Sequence, residues 1–179
     1  PLHGTGSASV IPALENAGFR NVHIVESQRE PNGNFPTVHS PNPEEGAALA
    51  EAITLAKQVG AQLVMGTDPD SDRVGIAVPD AHEASGYRLL NGNETGALLV
   101  HYVLRGRQQA GQLNTATDFV AKTIVTSNLM TDLGRSFGLQ VHETLTGFKW
   151  IADAIRREEG RGRFVVGGEE SYGYMIGDA

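Results

Sequence analysis

Short apolar runs and longer segments with apolar residues at helical spacing follow one another along the whole chain. Runs such as Leu-Val-Met-Gly at 63–66 and Val-Gly-Ile-Ala-Val at 74–78 are typical of buried strands. Segments in which apolar residues recur every three or four positions predict helices. The pattern predicts strands at 22–25, 63–66, 74–78, 87–90, 119–126, 140–144 and 164–166, and helices at 7–17, 44–59, 97–104, 128–137 and 146–159.

The alternation of strands and helices indicates the fold class. Strand–helix–strand order is typical of α/β proteins whose sheet is largely parallel. A polar, turn-rich segment at 79–86 separates the two halves of the pattern, and we expect a domain boundary there. In parallel sheets, ligands bind beyond the carboxyl ends of the strands. The loop at 68–73 falls at such a position.

Three aspartates at alternate positions, Asp68, Asp70 and Asp72, lie between two predicted buried strands and are followed by Arg73. Carboxylates this close repel one another, and the repulsion grows as the loop loses water. A hard divalent cation offsets that charge, because it binds oxygen ligands. The planar guanidinium of Arg73 suits a phosphate. The loop is therefore predicted to hold a metal ion and an anion side by side.

Other interpretations of this loop make different predictions. A solvated acidic turn needs no ligand, since Asp and Ser are ordinary turn residues. An EF-hand requires Gly at its sixth position and Glu at its twelfth, where this chain has Arg73 and Pro79. A phosphatase that uses Asp68 as its nucleophile would form a trapped aspartyl phosphate and would lose turnover in Asp68→Asn.

Two segments of the second half are candidates for ligand contact. Lys149 lies in the first turn of a predicted helix, where its charge is unfavourable with the helix dipole. A bound anion would explain this position, and so would a solvated surface lysine. Glu169 and Ser171 follow two glycines and would point the same way in an extended segment, which suits neighbouring sugar hydroxyls. A charged turn explains the same residues.

Two other features are expected to be structural. The segment at 3–7, His-Gly-Thr-Gly-Ser, is predicted to be a strand-to-helix turn with Ser7 as the helix cap, with an anion-facing loop as the alternative. Lys122 interrupts a predicted buried strand. We expect it at a sheet edge or paired with an acidic group, because an isolated buried charge is strongly unfavourable.

Charge and composition exclude several classes of protein. The 179 residues carry a formal net charge of −7, which argues against non-specific nucleic-acid binding. No apolar stretch approaches the length of a membrane span. The chain has no Cys, so disulfides and thiolate metal sites are excluded, as fits a reducing compartment. Both ends fall in mid-pattern, and we expect the chain to be a piece of a longer protein.

The motif at 68–73, Asp-Pro-Asp-Ser-Asp-Arg, resembles the magnesium loop of the α-D-phosphohexomutase family, which contains phosphoglucomutases and phosphomannomutases. The similarity covers essentially the whole chain. Further segments resemble the same family in the expected order, namely 1–6 (Pro-Leu-His-Gly-Thr-Gly), 40–45 (Ser-Pro-Asn-Pro-Glu-Glu), 92–96 (Gly-Asn-Glu-Thr-Gly), 122–127 (Lys-Thr-Ile-Val-Thr-Ser), 146–149 (Thr-Gly-Phe-Lys) and 168–173 (Gly-Glu-Glu-Ser-Tyr-Gly). The ordered set is far more specific than any one motif.

Members of this family have four domains, of which the first carries a phosphoserine and the fourth binds the substrate phosphate. The resemblance implies that this chain holds domain II at 1–84 and domain III at 85–179. These would be two consecutive α/β/α sandwich domains with mixed, largely parallel sheets. Domains I and IV would belong to the same protein outside this chain. Since the phosphoserine motif is missing here, the chain alone is expected to have no mutase activity.

The resemblance also implies two groups of site residues. The ligands of Mg²⁺ would be Asp68, Asp70 and Asp72. The residues that contact the substrate would be Gly147, Phe148, Lys149, Glu169 and Ser171, the last two through sugar hydroxyls. Arg73 would lie near the phosphate, and Lys149 would assist proton transfer.

The implied reaction interconverts hexose 1-phosphate and hexose 6-phosphate through a bisphosphorylated sugar, in the cytoplasm. Glucose 1-phosphate, glucose 6-phosphate and glucose 1,6-bisphosphate are the expected partners, because the motifs are closer to those of glucose-type bacterial enzymes, with mannose as an alternative. Phe148 stands where some relatives have Trp or His, so the sugar preference stays open, and phosphopentomutases are also relatives. A non-catalytic, metal-dependent phosphosugar-binding module is an alternative from another class. A phosphorylatable serine elsewhere in the full reading frame favours the mutase.

Overall fold

The computed structural model of this chain describes residues 1–177 and divides into two compact units, Pro1–Leu90 and Asn91–Ala179. Both units combine helices with a sheet, which confirms the predicted α/β fold class. The first unit extends past the predicted boundary at 84/85, because the strand after the turn-rich segment pairs with the first sheet. Among the described residues, no helix combines the length and the apolar character that crossing a bilayer requires.

The first unit is built from helices α1 and α2 and a sheet with the strand order β1-β2-β3. Along the chain these elements are α1 (Gly6–Asn16), α2 (Ala50–Val59), β1 (Val64–Thr67), β2 (Val74–Pro79) and β3 (Tyr87–Leu90), with a 3-10 turn at Glu26–Gln28. The buried residues Ala56 of α2, Val64, Ala77 and Tyr87 form its core. Gly60 ends α2 in the left-handed conformation, directly after the predicted helix end at residue 59.

The first sheet is antiparallel, so the predicted parallel arrangement is wrong for this unit. β1 and β2 pair from Val64 opposite Ala77 to Thr67 opposite Val74, and β3 pairs antiparallel with β2. The physical reason is the short loop at 68–73, because parallel strands need a crossover of about a dozen residues or more. The predicted strand at 22–25 is not assigned as a strand, so the crossover expected from it does not form.

The second unit has a sheet with the order β5-β4-β6-β7, in which β4 pairs parallel with β5 and β6, and β7 pairs antiparallel with β6. Its mixed, largely parallel character was predicted correctly. The elements are α3 (Gly92–Gln109), β4 (Asp118–Thr123), α4 (Asn128–Ser136), β5 (Gln140–Thr144), α5 (Phe148–Arg157), β6 (Arg163–Gly168) and β7 (Tyr174–Ile176). Helix α3 is longer than predicted, because Asn91 and Glu94 form a capping box that starts it early.

Helices cover both faces of the second sheet. Val120 of β4 belongs to a buried cluster with Val100 of α3 and Met130 of α4. Its neighbours Phe119 and Ala121 point to the other face and pack with Ile151 of α5. Coverage on both faces is what parallel strands require, since they are apolar on each side. It leaves the carboxyl ends of the strands, and the turns that follow them, to carry function.

Lys122 lies in the central strand β4, and its side chain is completely buried. Its Nζ donates to the carbonyl oxygens of Thr123 at 3.3 Å and Thr126 at 2.9 Å, and lies 3.5 Å from a carboxylate oxygen of Glu143. Of the two expected arrangements, pairing with an acidic group is present, through Glu143. The position at a sheet edge is not, because β4 lies between β5 and β6. These contacts hold the turn at 124–127, which is why β4 ends at Thr123 and not at residue 126 as predicted.

An ion pair between the buried Asp118 and the partly exposed Arg163 lies at the beginning of β4. The side chain of Asp118 is fully buried and accepts hydrogen bonds from Arg163 at 2.9 Å and 2.7 Å and from the backbone N–H of Asn114 at 2.8 Å. Burial by itself would raise the pKa of Asp118, but the hydrogen bonds and the charge of Arg163 outweigh it and hold this pKa below its usual value. The ionised form is therefore the one that the fold stabilises.

We expect Asp118→Asn to lower the free energy of unfolding at neutral pH by about 2 kcal/mol, because a charge-assisted pair is replaced by a weaker one. Since the pKa is lowered in the folded state, the stabilisation is present above the ordinary carboxyl value of about 3.9 and is lost as the pH falls from there. Urea titrations between neutral pH and pH 3 check this. The difference between wild type and variant should shrink as the pH falls below about 4, and a constant difference would contradict the role of the ionised carboxylate. Arg157→Met, which removes an exposed pair with Asp153, serves as the control and should leave stability unchanged.

Candidate metal centre and sugar-binding turn

The loop between β1 and β2 brings the three predicted metal ligands together. One carboxylate oxygen from each of Asp68, Asp70 and Asp72 lies within 4.8 Å of the others. Asp68 is fully buried, whereas Asp70 and Asp72 are exposed. Ser71 between them adopts a left-handed backbone with φ of 62°, which turns the loop back on itself. The set consists of oxygen donors only, and such donors fit Mg²⁺ or another hard divalent cation.

Arg73 is anchored to the aspartate that is buried. Its Nε donates to Asp68 Oδ2 at 2.7 Å, and its backbone N–H donates to Asp68 Oδ1 at 3.1 Å. Its Nη1 contacts Glu44 Oε1 at 3.4 Å and Asn42 Oδ1 at 3.5 Å. The Arg73 side chain as a whole is about one-third exposed. The structure thus places the predicted phosphate contact beside the predicted metal ligands.

Charge in the loop is distributed unevenly over the three carboxylates. Burial would raise the pKa of Asp68, but hydrogen bonds from Arg73 outweigh it and lower this pKa below its usual value. The pKa of Asp72 is raised, chiefly because its side chain shares a hydrogen bond with Asp68 and further by burial and the charges of Asp68 and Asp70. The pKa of Arg73 is raised despite burial, because Asp68, Asp72 and Glu44 surround it. An incoming cation would relieve the repulsion that these shifts report.

Asn42 and Glu44, which contact Arg73, were missed as site residues by sequence reasoning. Their segment packs directly on β2, because a Cβ built on Gly75 would overlap the carbonyl oxygen of Pro43. Asn42 also accepts the backbone N–H of Glu44 at 3.0 Å, at the position where the helix 44–59 was predicted to begin. Here it stabilises a turn, since α2 begins only at Ala50. The position of this segment in the ordered set of motifs was the only signal of its role.

In the second unit, one hydrogen bond joins the two segments predicted to contact a sugar. Glu169 Oε1 accepts the backbone N–H of Gly147, at the N-terminus of α5, over 2.5 Å. The carboxylate thereby lies at the positive end of a helix dipole. The ring of Phe148 packs against Gly173, where a Cβ would overlap it. Gly147, Phe148 and Glu169 therefore form one compact arrangement.

Ser171 and Lys149 lie at the margin of that arrangement. Residues 170–172 form a turn closed by a hydrogen bond from the Glu169 N–H to the Gly173 carbonyl at 2.9 Å. The segment is a turn and not an extended strand, so the condition under which Glu169 and Ser171 would point the same way is not met. Ser171 is half-buried in the turn. Lys149 is exposed, with its Nζ 5.4 Å from the centre of the Trp150 ring.

Glu170 holds this turn in place, although sequence reasoning assigned it no role. Its Oε2 accepts hydrogen bonds from the hydroxyl groups of Thr126 at 2.8 Å and Thr123 at 3.2 Å, and its N–H donates to Thr126 Oγ1 at 3.2 Å. Gly92 packs so closely on the other side that a Cβ there would overlap the Glu170 carbonyl oxygen. Three of the recognised motifs, at 92–96, 122–127 and 168–173, thus meet at this turn.

Comparison with known proteins identifies the chain. Residues 1–82 match the family model of phosphoglucomutase/phosphomannomutase, alpha/beta/alpha domain II, and residues 91–179 match that of domain III. The chain belongs to the phosphoglucomutase/phosphomannomutase family. The aspartate loop lies in the part that matches domain II, and the turn at 169–173 lies in the part that matches domain III.

Individual proteins are similar to this chain in sequence or in fold. A phosphoglucomutase from Staphylococcus aureus (strain USA300) is 40% identical over 174 residues, which cover 97% of this chain and 30% of that protein. The chain thus spans about 30% of the length of the curated relatives it matches. A family protein from Burkholderia thailandensis shares the fold, with a TM-score of 0.74 at 17% identity over 98% of this chain and 33% of that one. N-acetylphosphoglucosamine mutase from Aspergillus fumigatus, in complex with glucose 1,6-bisphosphate, also shares the fold. Its TM-score is 0.58 at 17% identity, over 94% of this chain and 30% of that one.

Proposed function

We propose that this chain forms domains II and III of a phosphohexomutase that interconverts hexose 1-phosphate and hexose 6-phosphate. The observation that carries the proposal is the cluster of Asp68, Asp70 and Asp72 in a chain of this family. Glucose phosphates are the favoured substrates, since the curated relative with 40% identity is a phosphoglucomutase. The N-acetylphosphoglucosamine mutase complex supports glucose 1,6-bisphosphate as the type of intermediate that this fold accepts. An enzyme of sugar metabolism in the cytoplasm is part of this proposal.

In this proposal the three aspartates hold Mg²⁺. When bound, the ion would neutralise negative charge on the phosphoryl group that is transferred. Asp68 has a second task, because it keeps Arg73 in place through two hydrogen bonds. Arg73 would then present its side chain to phosphate oxygens, for which a guanidinium is well shaped. Asp70 and Asp72 are exposed, and Asp72 also lies 3.6 Å from the Nε of Arg73.

The second unit would bind the sugar. Glu169 keeps one oxygen on the Gly147 N–H, and its other oxygen would accept a sugar hydroxyl. Phe148 and Gly147 would form the surface beneath the ring, with Ser171 as a second polar contact. Lys149 at the first turn of α5 would attract the phosphosugar and assist proton transfer at a hydroxyl. Domains I and IV, with the phosphoserine, would come from the rest of the protein, so the chain alone is proposed to have no mutase activity.

Asp70→Asn in the full-length protein tests the metal site. We expect mutase turnover with glucose 1-phosphate to fall by at least about tenfold, with weaker Mg²⁺ binding by calorimetry, because one anionic oxygen is lost. Unfolding stability should be unchanged, since Asp70 is exposed. The matched control is Asp132→Asn, an exposed aspartate on α4.

Four outcomes would count against parts of this proposal. Wild-type turnover and Mg²⁺ affinity in Asp70→Asn would refute the metal site. Binding of glucose 1-phosphate by the full-length protein without any turnover would favour a non-catalytic phosphosugar-binding module. Faster turnover of a pentose phosphate than of a hexose phosphate would make it a phosphopentomutase. Turnover by the purified 179-residue chain would contradict its predicted inactivity.

A further inference from the structure

The glycine-rich segment at the start of the chain packs on the aspartate loop. A Cβ built on Gly4 would overlap the Cα and the carbonyl group of Pro69, and one built on Gly6 would overlap Thr67 Oγ1 and lie 3.2 Å from Ser71 Oγ. Both glycines are buried. Glycine is therefore required at both positions for close approach. The segment was expected to be an ordinary turn before α1, and its contact with residues 67–71 was not predicted.

Thr5, between these glycines, makes three hydrogen bonds to the aspartate loop. Its backbone N–H donates to the Pro69 carbonyl at 2.9 Å, and its hydroxyl lies 3.1 Å from the same oxygen. The hydroxyl is also 3.3 Å from Ser71 Oγ. Pro69 and Ser71 are the residues that separate Asp68, Asp70 and Asp72. Thr5 thus contacts the backbone of Pro69 and the side chain of Ser71, which alternate with the three carboxylates along the loop.

This segment is itself attached firmly to the rest of the first unit. The N–H of His3 donates to the Gln28 carbonyl, and the His3 carbonyl accepts the N–H of Asn32, each at 3.0 Å. The buried His3 ring contacts Thr37 Oγ1 at 2.8 Å. Thr5 therefore extends from a fixed base and not from a free end.

The aspartate loop needs such support for two reasons. Its three carboxylates lie within 4.8 Å and repel one another when no cation is bound. Ser71 has φ of 62°, a conformation that residues other than glycine rarely adopt. Both features favour opening of the loop, and the contacts from Thr5 oppose it.

We propose that Thr5 is a positioning residue that holds the aspartate loop in its metal-binding conformation before the cation arrives. The inference rests on the proposed function, since it presupposes that Asp68, Asp70 and Asp72 bind Mg²⁺. A loop held in the bound conformation loses less conformational freedom when the cation binds, so its affinity is higher. Thr5 contributes through Pro69 and Ser71, the two residues of the loop to which it is hydrogen-bonded.

The test compares Thr5→Val and Thr5→Ser with the wild type in the full-length protein, by titration with Mg²⁺ in a calorimeter. Valine keeps the backbone hydrogen bond and removes the hydroxyl, so we expect the Mg²⁺ dissociation constant to rise about 3- to 10-fold, the effect of one or two hydrogen bonds. Serine keeps the hydroxyl and should restore wild-type affinity. The matched control is Thr54→Val on α2, whose hydroxyl also donates to a backbone carbonyl, that of Ala50, but lies outside the loop.

A second measurement separates positioning from general stability. Thermal unfolding midpoints recorded with a chelator should shift no more for Thr5→Val than for Thr54→Val. Wild-type Mg²⁺ affinity in Thr5→Val would overturn the role of Thr5 and leave the metal site intact. Equal losses of affinity in Thr5→Val and Thr54→Val would also overturn it. If the wild type bound no Mg²⁺ while catalysis continued, the proposed metal site would fail and the role of Thr5 with it.

Discussion

Gly4→Ala is expected to lower the free energy of unfolding of the first unit by about 3 kcal/mol, at the upper end of the range for overpacked positions. The added methyl group would overlap the backbone of Pro69, which cannot move aside by a rotamer change. Relief requires the whole aspartate loop to shift away from the segment at 1–6. We therefore also expect the full-length protein to lose Mg²⁺ affinity and mutase turnover, each by more than Thr5→Val loses.

Gly33→Ala is the control for this substitution. Gly33 also lies in a loop of the first unit, but a Cβ there has no neighbour within 4 Å, and its φ is not positive. Its effect on stability should stay within about 0.5 kcal/mol, as for most surface substitutions. Urea unfolding and Mg²⁺ calorimetry on both variants check the prediction. If Gly4→Ala unfolded like Gly33→Ala and bound Mg²⁺ normally, the close packing of the two loops would be refuted.

Lys122→Met should lower the free energy of unfolding of the second unit by about 3 kcal/mol, because two buried carbonyl groups lose their donor. Methionine matches the length of the lysine stem, so the effect reports the lost ammonium group more than a cavity. The carbonyl oxygens of Thr123 and Thr126 would be left without this contact, and Glu143 would lose its ion pair. The turn at 124–127 should loosen, and the hydroxyl groups that hold Glu170 move with it.

The exposed Lys57 on α2 offers the matched control, and Lys57→Met should be close to neutral. Denaturant unfolding gives the stability of each variant, and amide hydrogen exchange at 124–127 reports on the turn. We expect faster exchange there in Lys122→Met alone. A stability equal to that of the wild type would show that a buried apolar side chain replaces the lysine without loss, as happens for some buried ion pairs.

The local features of the candidate site could be predicted from the sequence. Asp68, Asp70 and Asp72 lie at alternate positions of one short segment between two apolar runs. Their mutual repulsion, which a bound cation would offset, therefore follows from the local sequence. Helix ends at Gly60 and Gly138 follow from the freedom of glycine to adopt a positive φ. The spacing of apolar residues and the helix and strand breakers located β4, β5 and β6 of the second unit, because both signals act within a few residues, whereas β7 was not predicted.

The direction of the first sheet was decided by tertiary structure. Hydrophobic periodicity reports which face of a strand is buried, but it does not identify the partner strand. The loop at 68–73 was recognised as tight, and its brevity alone favours an antiparallel pair. The expected strand at 22–25 suggested a crossover that the fold does not make.

The sequence by itself determined the fold class, the aspartate cluster and, through the ordered motifs, the family. Only the tertiary structure decided what supports these residues. Thr5 meets Pro69 across 64 positions of the chain, Arg73 meets Asn42 across 31, and Glu170 meets Thr126 across 44. Contacts over such separations depend on how the elements pack, and no local pattern of apolar and polar residues encodes them. The functional residues are thus recognisable within short segments of the sequence. Their positions in space are fixed by contacts with residues that are distant along the chain.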